Sequence, residues 1–597
     1  MRRSIGCFRT INDEYLLTIL SRFLLVSLNM DAILGEVTIR QRRKKLVEMA
    51  QGNGLSEAYT ATLSRLKVQK GYKSVLGLKV LMWVSYSERP LRAEELCHAL
   101  GVEIGSTELD PENVPALRTL LSSCLGLVTV EASSSTVRLV HFTLQEHLSG
   151  NPTLFNSPHS AIAEVCLTYL NFGSIICLSP TLRWAPGTAP FLEYASVYWG
   201  SHARREMAED IKIPALRLLD RFDEHISAQL LLLYRWDEFS DLWFDGTEGP
   251  RGFTGLHGAA FHGIVEIAAA VLDMKEWDVN AADCTGSTAL IWAAMRGHDG
   301  VIKMLLGREN VNPNQPDTEY GRTPISWAAA EGHEGVLKML LEREDVNPNQ
   351  EYTRYGRTPL SWAARGGQGG VVKMLLERED VNPDKADTEY GRTPISWAAE
   401  EGHERVVKML LERAGVNPDQ AYTRHGRAPL SWVARGGHGG AVKMLLERED
   451  VNPNLAETQY SWTPLWWAAK QGHEGVVKML LEREDANPDK ADTEYGRTPL
   501  SWAAEEGHER VVKMPLERED VNPNQADTIY GRTPLWWAAK QGCEGVANML
   551  SEREDVNPNQ ADTEYRRTPL SWAAEKGHEG VVKMLLERKD HRAATPD

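Results

Sequence analysis

Apolar and polar positions follow one pattern that recurs through the second half of the chain. The string Thr-Pro-(Leu/Ile)-Ser-Trp-Ala-Ala returns first after 34 residues and then every 35 residues. Its first position is occupied by Thr254, Thr288, Thr323, Thr358, Thr393, Ala428, Thr463, Thr498, Thr533 and Thr568. A fixed period of this length is typical of repeat architectures, so residues 251–590 are predicted to form ten units.

Each unit is predicted to contain two helices and an extended loop. In the unit that begins at Thr393, the threonine is a good N-cap and Pro394 suits the first helical position. Gly402 ends this helix, and the apolar residues of a second helix then recur at a spacing of three or four. Asn417-Pro418 begins the loop. One unit cannot bury its apolar face alone, so the units are predicted to stack into an α-solenoid.

The first 250 residues lack this repeat, and their periodicity is mainly helical. Residues 75–150 are predicted to form a winged-helix domain with helices over 75–86, 92–100 and 117–124 and strands over 127–130 and 137–140. We expect a helical linker over 1–74, a helical spacer over 151–250 and a disordered tail over 591–597. The apolar run at 15–30 is split by Arg22 and is shorter than the ~20 residues of a membrane-spanning helix, so an amphipathic helix is predicted there. The predicted fold class is therefore mainly α.

The repeat resembles the ankyrin repeat. The resemblance rests on the Thr-Pro-Leu opening, the Ala-Ala pair, Gly-His, the Val-Val…Leu-Leu helix and the ending Asp380-Val381-Asn382. It implies that hairpin tips and first helices line a concave face that binds protein partners. The chain departs from the pattern in its period, which is 35 rather than about 33 residues. Pro515 also stands inside a second helix, where a kink or a frayed turn is expected because proline costs ~3 kcal/mol in a helix interior.

The first 250 residues resemble the segment that follows the nucleotide-binding module in fungal NACHT–ankyrin proteins. The motifs that carry this resemblance are Glu88-Arg89-Pro90-Leu91, Glu94-Glu95-Leu96, Val137-Arg138-Leu139-Val140-His141 and Tyr194-Ala195-x-x-Tyr198-Trp199. The resemblance implies the sensing or scaffolding half of a signalling ATPase, in self/non-self recognition or defence. The ATPase motif Gly-x-x-x-x-Gly-Lys-(Ser/Thr) is missing, because the chain has no Gly-Lys dipeptide. We expect either a truncated reading frame or a genuine relative without the ATPase.

Charge narrows the class of partner. The 597 residues carry 66 Lys and Arg against 83 Asp and Glu, a net charge of −17. Residues 251–597 hold 41 basic and 55 acidic residues, so −14 of this charge belongs to the repeats. Binding to nucleic acid phosphates requires clustered positive charge, and the third helix of the predicted winged helix offers only Arg118. A basic or mixed-charge protein partner is therefore favoured over nucleic acid.

Two residue types recur at a single position of the repeat. Nine of the 18 tryptophans form one column, Trp292, Trp327, Trp362, Trp397, Trp432, Trp467, Trp502, Trp537 and Trp572. Large aromatics dominate core burial, so a packed core ladder is favoured over an aromatic binding ladder. Histidines form a second column, which stacked helices about 8–10 Å apart would space too widely to share one zinc ion. This histidine column is predicted to make structural hydrogen bonds to neighbouring loops.

The positions that vary between units are the candidates for recognition. The residue after Ala-Ala and a position in the hairpin alternate in charge for several units, and three extra tryptophans break the pattern. The candidate partner-binding residues are Trp462, Trp466, Trp536, Arg354, Arg365, Glu389, Glu400, Arg424, Arg435, Lys470 and Lys540. Aromatic residues of this kind are frequent interface hot spots. A ladder of charge pairs between repeats, with the three tryptophans as extra packing, is the alternative.

The sequence predicts a non-enzymatic interaction scaffold. It contains neither Gly-x-Ser-x-Gly nor His-Glu-x-x-His, and we expect no catalytic residue, cofactor, metal or small-molecule substrate. We expect a cytoplasmic protein that binds a protein partner and no membrane, with a nuclear location left open. A signalling NTPase fragment without its ATPase module and a winged-helix DNA-binding regulator are the alternative functions.

Overall fold

The computed structural model describes residues 38–41, 43–44, 55–238, 249–274, 277–351, 355–421 and 426–593. The amphipathic helix predicted at 15–30 and most of the first 54 residues of the predicted linker 1–74 lie outside these residues. Contacts divide the chain into two units, Met1–Ala289 and Leu290–Asp597, and each is described by itself. The first unit thus contains the first repeat as well as the non-repetitive region.

The predicted winged helix is present in the first unit. Its helices, which follow a helix over Leu55–Lys67, and its strands span Lys73–Tyr86, Ala93–Gly101, Leu117–Ser123, Val128–Glu131 and Thr136–Leu139. The two strands pair antiparallel, with Val128 opposite Leu139. The strand bounds differ by one residue from those predicted, as is common at element ends. The domain is therefore three helices followed by a hairpin.

A buried carboxylate holds the start of the second winged-helix helix. Glu95 is fully buried and accepts two hydrogen bonds of 2.8 Å from the Arg89 guanidinium and one of 2.7 Å from the Arg92 amide. Burial opposes its charge, but these hydrogen bonds and the two arginines lower the pKa of Glu95 below its usual value. The Glu-Arg-Pro-Leu and Glu-Glu-Leu motifs thus have a structural cause, since they supply this capping pair.

Helices continue through the rest of the first unit. They span Phe142–Ser149, Pro158–Leu170, Gly173–Ile176, Leu192–Arg205, Glu209–Asp220, Ile226–Glu238, Gly255–His262 and Val265–Met274. The last two are the helix pair of the first repeat. A hydrogen-bonded chain links the winged helix to the spacer, because the Glu88 amide donates to the Tyr194 hydroxyl (3.0 Å), which lies 2.9 Å from His202 Nε2. Burial lowers the pKa of His202 to about 3, so this histidine is neutral at physiological pH.

The second unit consists of nine further helix pairs. They span Ala289–Arg296 and Asp299–Leu306, Pro324–Glu331 and Glu334–Leu341, Pro359–Arg365 and Gly369–Leu376, Pro394–Glu400 and Glu404–Glu412, Pro429–Gly436 and Gly439–Leu446, Pro464–Gln471 and Glu474–Leu481, Pro499–Glu506 and Glu509–Leu516, Pro534–Gln541 and Glu544–Glu552, and Pro569–Lys576 and Glu579–Ala593. With the pair in the first unit, the described residues contain one helix pair for each of the ten predicted repeats.

Within the repeats, the same residue types end the first helix of one repeat unit and contact the next repeat unit. Thr358 caps its helix by accepting a hydrogen bond from the Ser361 amide (3.2 Å), as the pattern predicts. Gly367 follows with φ +68°, and a Cβ at this glycine would lie 2.7 Å from the His403 ring of the next unit. His403 Nε2 in turn lies 2.9 Å from the carbonyl oxygen of Arg365. The histidine column therefore makes the predicted structural hydrogen bonds between units.

The ends of six second helices are held by an arginine of the following unit. Arg378 donates to the Leu341 carbonyl oxygen (2.9 Å) and forms a forked pair with Asp380 (2.7 Å). Arg343, Arg448, Arg483, Arg518 and Arg553 repeat this arrangement. Carbonyls at a helix C-terminus have no partner within the helix, so this contact satisfies one of them. The Glu-Arg-Glu-Asp string of the repeat thus connects neighbouring units.

The frayed turn expected at Pro515 is absent, and the last helix extends past its expected end. The helix that contains Pro515 spans Glu509–Leu516, the same eight residues as Glu474–Leu481 one unit earlier, so its last turn is not frayed. Pro515 lies one residue from the end, where few hydrogen bonds depend on it, and its ring is buried. The last helix continues to Ala593, three residues into the segment predicted to be a disordered tail.

A ladder of asparagines and aspartates runs along the loops. Asn349 Oδ1 accepts from the Asn382 amide (2.9 Å), and its Nδ2 donates to the Asp380 carbonyl oxygen (2.6 Å). Asp384 occupies the same position one unit later and also accepts from a backbone amide, that of Asn417 (2.9 Å). Its other oxygen is buried and has no hydrogen-bond partner in the described part of the chain. Asp419 and Asp489 likewise each have one buried carboxylate oxygen without a hydrogen-bond partner among the described residues.

The buried carboxylate oxygens without a hydrogen-bond partner lead to a prediction about stability. Burial raises the pKa of Asp384, Asp419 and Asp489, despite the amide hydrogen bond that each accepts. A raised pKa means that the folded state prefers the protonated acid, so the penalty is complete at neutral pH and shrinks as pH falls through the raised pKa. Replacing all three by asparagine restores the missing donor and is expected to raise the free energy of unfolding at pH 7 by about 1 kcal/mol per site.

Chemical denaturation of the full chain at pH 7 and at pH 4.5 measures this effect. The gain should be larger at pH 7, because the native aspartates are partly protonated in acid. The reverse substitutions Asn349→Asp, Asn454→Asp and Asn524→Asp serve as the matched control and should lower stability. A triple Asp→Asn variant no more stable than the natural chain contradicts the interpretation.

Candidate partner-binding surface

Arginine and tryptophan side chains alternate along the repeats. In five units the arginine two residues before the first-helix proline lies against the tryptophan of its own unit and that of the next, whereas Arg532 contacts two tryptophans of its own unit. The Arg357 guanidinium carbon is 4.9 Å from the ring centre of Trp362 and 4.3 Å from that of Trp397. For Arg497 the distances to Trp502 and Trp537 are 3.8 and 3.9 Å. These are cation–π contacts between units, and Arg322, Arg392 and Arg427 repeat them.

The tryptophan column is mainly core, as predicted. Trp292 is fully buried, and Trp327, Trp397, Trp432, Trp467 and Trp537 are buried as well. Trp362, Trp502 and Trp572 are half-buried. The core position of the tryptophans was predicted from the sequence, but the contact of the arginines with them was not. Each arginine follows a turn glycine and therefore resembled a loop residue.

An aspartate carboxylate ties the hairpin to this column. Asp387 accepts from the amides of Tyr390 (2.7 Å) and Gly391 (2.9 Å) with one oxygen, and from Trp397 Nε1 (3.0 Å) with the other. Asp317, Asp492 and Asp562 also accept from an amide of their hairpin and from the indole of their unit. One carboxylate thus fixes both the turn and the orientation of the ring.

The basic residues that directly follow the Ala-Ala pair of a repeat unit also contact tryptophan rings. Arg365 and Arg435 are exposed, and their guanidinium carbons lie 5.2 and 4.9 Å from the rings of Trp397 and Trp467 in the following units. Lys470 Nζ lies 4.1 Å from the Trp502 ring. Each of these cations thus places its charged end over the aromatic ring of the following unit.

Lys540 occupies the same column in a later unit. Its Nζ lies 4.8 Å from the ring of Trp537 in its own unit. Burial lowers the pKa of Lys540, against the attraction of Glu505.

Residues 227–317, 309–387, 345–422, 379–457, 430–527 and 516–595 match the family model described as ankyrin repeats (3 copies). Together these segments cover more than half of the chain. The chain belongs to the ankyrin-repeat family. Residues 64–157 of this ankyrin protein match a second model, described as the winged helix domain of GPI inositol-deacylase. No curated protein matches the chain.

Two candidate contact residues of the ankyrin array lie in its interior. Trp466 is 1% exposed and Trp536 is fully buried, so neither can serve as a surface contact. Trp462 stands where other units have the arginine, and Trp466 packs edge-on against Trp467 and Trp502, at ring distances of 5.0 and 5.3 Å. Trp462 stacks on Trp466 with a ring distance of 4.3 Å and a tilt of 7°, and Trp466 Nε1 donates to Asp492 (3.3 Å). The prediction of a partner contact is wrong for Trp466 and Trp536, and extra packing is correct.

Trp462 itself is half-buried and stacks also on Tyr460 at 4.7 Å. Trp536 coexists with an arginine, since the Arg532 guanidinium carbon lies 4.3 Å from its ring and pairs with Glu564 at 2.8 Å. The sequence does not show which of Trp462 and Trp466 is buried, because both are large residues that differ from the repeat pattern and they lie only four positions apart.

The acidic candidates pair within the array. Glu389 lies 3.6 Å from the Arg357 guanidinium, and Glu400 pairs with Arg392 of its own unit. The first contact joins two units, as in the charge ladder that was the alternative to partner binding, whereas the second lies within one unit. Arg354 and Arg424 lie outside the described residues. Of the charged candidates, the basic residues after Ala-Ala are thus the more accessible.

The part of the chain before the second unit, Met1–Ala289, contains a cavity of about 680 Å³ that was not predicted from the sequence. It is lined by Arg92, Glu94, Arg183, Glu193 and Trp184, among others. Trp184 is 82% exposed, and the volume falls in the range of small-molecule sites. Its two arginines and two glutamates balance in charge, so the lining does not select a ligand by charge.

Two further observations concern metals and membranes. Within the described ranges, no three His, Cys, Asp or Glu side chains are placed to hold a metal ion together. The part of the chain that the structure describes contains no helix both long and apolar enough to cross a membrane.

The position of Trp466 makes a stability prediction. Trp466→Ser introduces the residue that most units carry, but leaves the space unfilled because this unit has no arginine. We expect a loss of about 3–5 kcal/mol of local stability, as for other buried tryptophans. The double variant Trp462→Arg/Trp466→Ser restores the common arrangement of the repeat and should regain most of this loss.

Hydrogen exchange of the amides in Pro464–Gln471 measures the local effect. Trp184→Ser is the control for loss of a tryptophan and should change stability by no more than about 0.5 kcal/mol, because that side chain is exposed. Unchanged exchange in Trp466→Ser, or a double variant as unstable as the single one, contradicts the proposed packing.

Proposed function

We propose that this ankyrin protein is a non-catalytic scaffold that binds a protein partner through its hairpin tips and first helices. One observation carries the proposal: the constant residues of the repeat join units to one another, whereas the accessible residues on the hairpin side vary. Stacked repeats produce an extended surface suited to recognition of proteins.

The constant residues have structural roles throughout. The arginine–tryptophan column, the hairpin aspartates and the histidine column each bridge or shape units, as Arg357, Asp387 and His403 illustrate. Their side chains are directed at neighbouring units, and most are buried or half-buried. These positions therefore offer little to a partner.

The variable residues remain accessible. Arg365 and Arg435 are exposed, and Lys470 and Lys540 are half-buried with their ammonium groups over tryptophan rings. Trp462 is half-buried at a hairpin. Arginine and tryptophan are common interface hot spots, which favours this edge as the contact surface.

The biological setting is proposed from resemblance. The likeness of residues 1–250 to fungal NACHT–ankyrin proteins favours a role in self/non-self recognition or defence signalling. In that setting the winged helix serves as a structural or interaction module. Its third helix, Leu117–Ser123, carries Arg118 as its single basic residue, whereas DNA binding requires several phosphate contacts.

Affinity capture with a charge-matched control tests the contact surface. The variant Arg365→Ser/Arg435→Ser/Lys470→Ser/Lys540→Ser removes four positive charges from the hairpin side. The control Lys373→Ser/Lys408→Ser/Lys443→Ser/Lys478→Ser removes four from the second helices, where each lysine lies within 4 Å of a glutamate. Proteins captured by the full chain should bind the first variant at least about tenfold more weakly and the control nearly unchanged, since hot-spot loss costs about 2 kcal/mol or more.

Equal binding by the natural chain and the first variant would count against this surface. Nucleotide titration tests the absence of catalysis separately. We expect no binding of ATP or GTP by the purified chain at micromolar concentrations, and a sub-micromolar affinity would support the signalling-NTPase alternative.

A further inference from the structure

One segment of the first unit is strongly basic, although the whole chain has a net charge of −17. Residues 58–87 contain no Asp or Glu and five basic residues, Arg65, Lys67, Lys70, Lys73 and Lys79. Residues 113–130, which include the neighbouring helix Leu117–Ser123, add Arg118 and no acidic residue. The positive charge of this segment is therefore balanced neither along the chain nor by that helix.

Three of these lysines meet at the corner between two helices. The helix Leu55–Lys67 ends there, a short turn follows, and the next helix begins at Lys73. Gly71 forms the turn with φ +66°, and a Cβ at this glycine would have no atom beyond its chain neighbours within 4 Å, so the corner projects into solvent. Lys67, Lys70 and Lys73 are exposed, and none of the three forms an ion pair with another described residue. Residues 67–75 are here called the basic corner.

Apolar side chains occupy the same corner. Val68, Tyr72 and Val75 are 79%, 62% and 46% exposed. They alternate along the chain with the three lysines, so the corner presents apolar and positively charged groups together. An exposed apolar patch with a charged rim is typical of an interaction site, since side chains left in water contribute little to the stability of the fold.

Hydrogen bonds fix the base of the basic corner to the winged helix. The Gln69 side chain donates to the Ser123 carbonyl oxygen (2.7 Å), at the end of the third helix of this domain. The Ser74 hydroxyl donates to the Lys67 carbonyl oxygen (3.0 Å) and thereby links the two sides of the turn. Leu66, directly before the corner, is fully buried. The exposed side chains are thus carried on a turn that the domain holds in place.

Lys73 opposes the stability of its own helix. It is the first residue of the helix Lys73–Tyr86, whose first turn contains no acidic residue. A cation at this position meets the positive end of the helix dipole, so the fold itself would favour an acidic residue. An anion beside Lys73 removes this conflict, because the ammonium group and the free amides of the first turn would then both face negative charge. The position of Lys73 therefore favours an anionic partner.

The apolar residues favour a lipid surface over nucleic acid. Contacts with a nucleic acid backbone are hydrogen bonds and charge pairs, to which Val68 and Val75 contribute nothing. At a membrane surface, apolar side chains enter the headgroup region while neighbouring lysines attract anionic lipids. Tyrosine is enriched at the same depth, and lysine stems can lie along apolar surface while their ammonium groups remain in water. All six exposed side chains of the corner then have a partner.

We propose that the basic corner attaches the chain to the surface of anionic phospholipid membranes. Its three apolar side chains would enter the headgroup region, and its three lysines would contact the anionic headgroups. This attachment requires no membrane-spanning helix and goes beyond the scaffold function proposed above. It departs from the sequence expectation of no membrane partner, which rested on the length of apolar runs and not on surface charge.

Co-sedimentation of the full chain with phospholipid vesicles tests this proposal. We expect binding to phosphatidylcholine vesicles with about 30% phosphatidylserine, little binding to pure phosphatidylcholine, and weaker binding at ~0.5 M than at ~0.1 M salt, because salt screens the attraction. The variant Lys67→Ser/Lys70→Ser/Lys73→Ser should bind about a hundredfold more weakly, from the usual contribution of a lysine at an anionic surface. The variant Val68→Ser/Tyr72→Ser/Val75→Ser should bind at least about tenfold more weakly.

Two matched controls replace exposed side chains of the same kinds away from the corner. The lysine control is Lys373→Ser/Lys408→Ser/Lys443→Ser, and the apolar control is Ile104→Ser/Ile176→Ser/Ile213→Ser. Both should bind the vesicles as the natural chain does. Because every replaced side chain is exposed, circular dichroism should show that all four variants are folded.

Other results overturn the proposal in distinguishable ways. A natural chain that does not bind anionic vesicles, or vesicle binding that survives the lysine variant, would reject the basic corner as a membrane contact. Unchanged binding by the apolar variant would reject the entry of these side chains into the headgroup region. Tighter binding to mixed-sequence duplex DNA or RNA than to anionic vesicles, lost in the lysine variant, would assign the corner to nucleic acid instead.

Discussion

A guanidinium held between two indole rings is the contact on which the array depends. Five arginines of the repeat touch the tryptophan of their own unit and that of the next, as Arg497 does at 3.8 and 3.9 Å. A contact of this kind is worth about 0.5–2 kcal/mol, more where it is desolvated. Because it recurs at these five junctions, it couples neighbouring units, which is the energetic arrangement expected of a solenoid.

A buried cation needs a counter-charge, and the hairpin supplies it. Arg357 is nearly buried and lies 3.8 Å from Asp387, whose carboxylate also orders the turn and holds the indole of Trp397. Burial lowers the pKa of Arg357, against the attraction of Asp387 and Glu389. This aspartate therefore compensates the charge, closes the hairpin and orients the ring at once. In the unit at Thr463 the arginine is replaced by Trp462, which stacks on Trp466.

The repeat, its helix ends and its histidine hydrogen bonds were predictable from the sequence because each depends on local chemistry. Threonine before proline begins a helix, glycine ends it, and a fixed period requires stacking, so helix positions followed to within a few residues. The role of Arg357 was not predictable, because its partners are 5 and 40 residues away and its neighbours are turn residues. The burial of Trp466 was equally hidden, since the serine that most units carry at this position does not reveal whether it faces the interior.

The duplication of the repeat unit explains why the sequence differences between units concentrate at the hairpin tips. Copies begin identical, and a change at the tryptophan, arginine or aspartate of one unit disturbs two junctions at once. A change at a tip is tolerated even though a neighbouring unit can pair with it, since Glu494, Ile529 and Glu564 occupy equivalent positions with different polarity. The cost of variation is therefore lowest where a partner has the best access. Specificity in this array is expected to reside in side chains whose identity the fold does not determine.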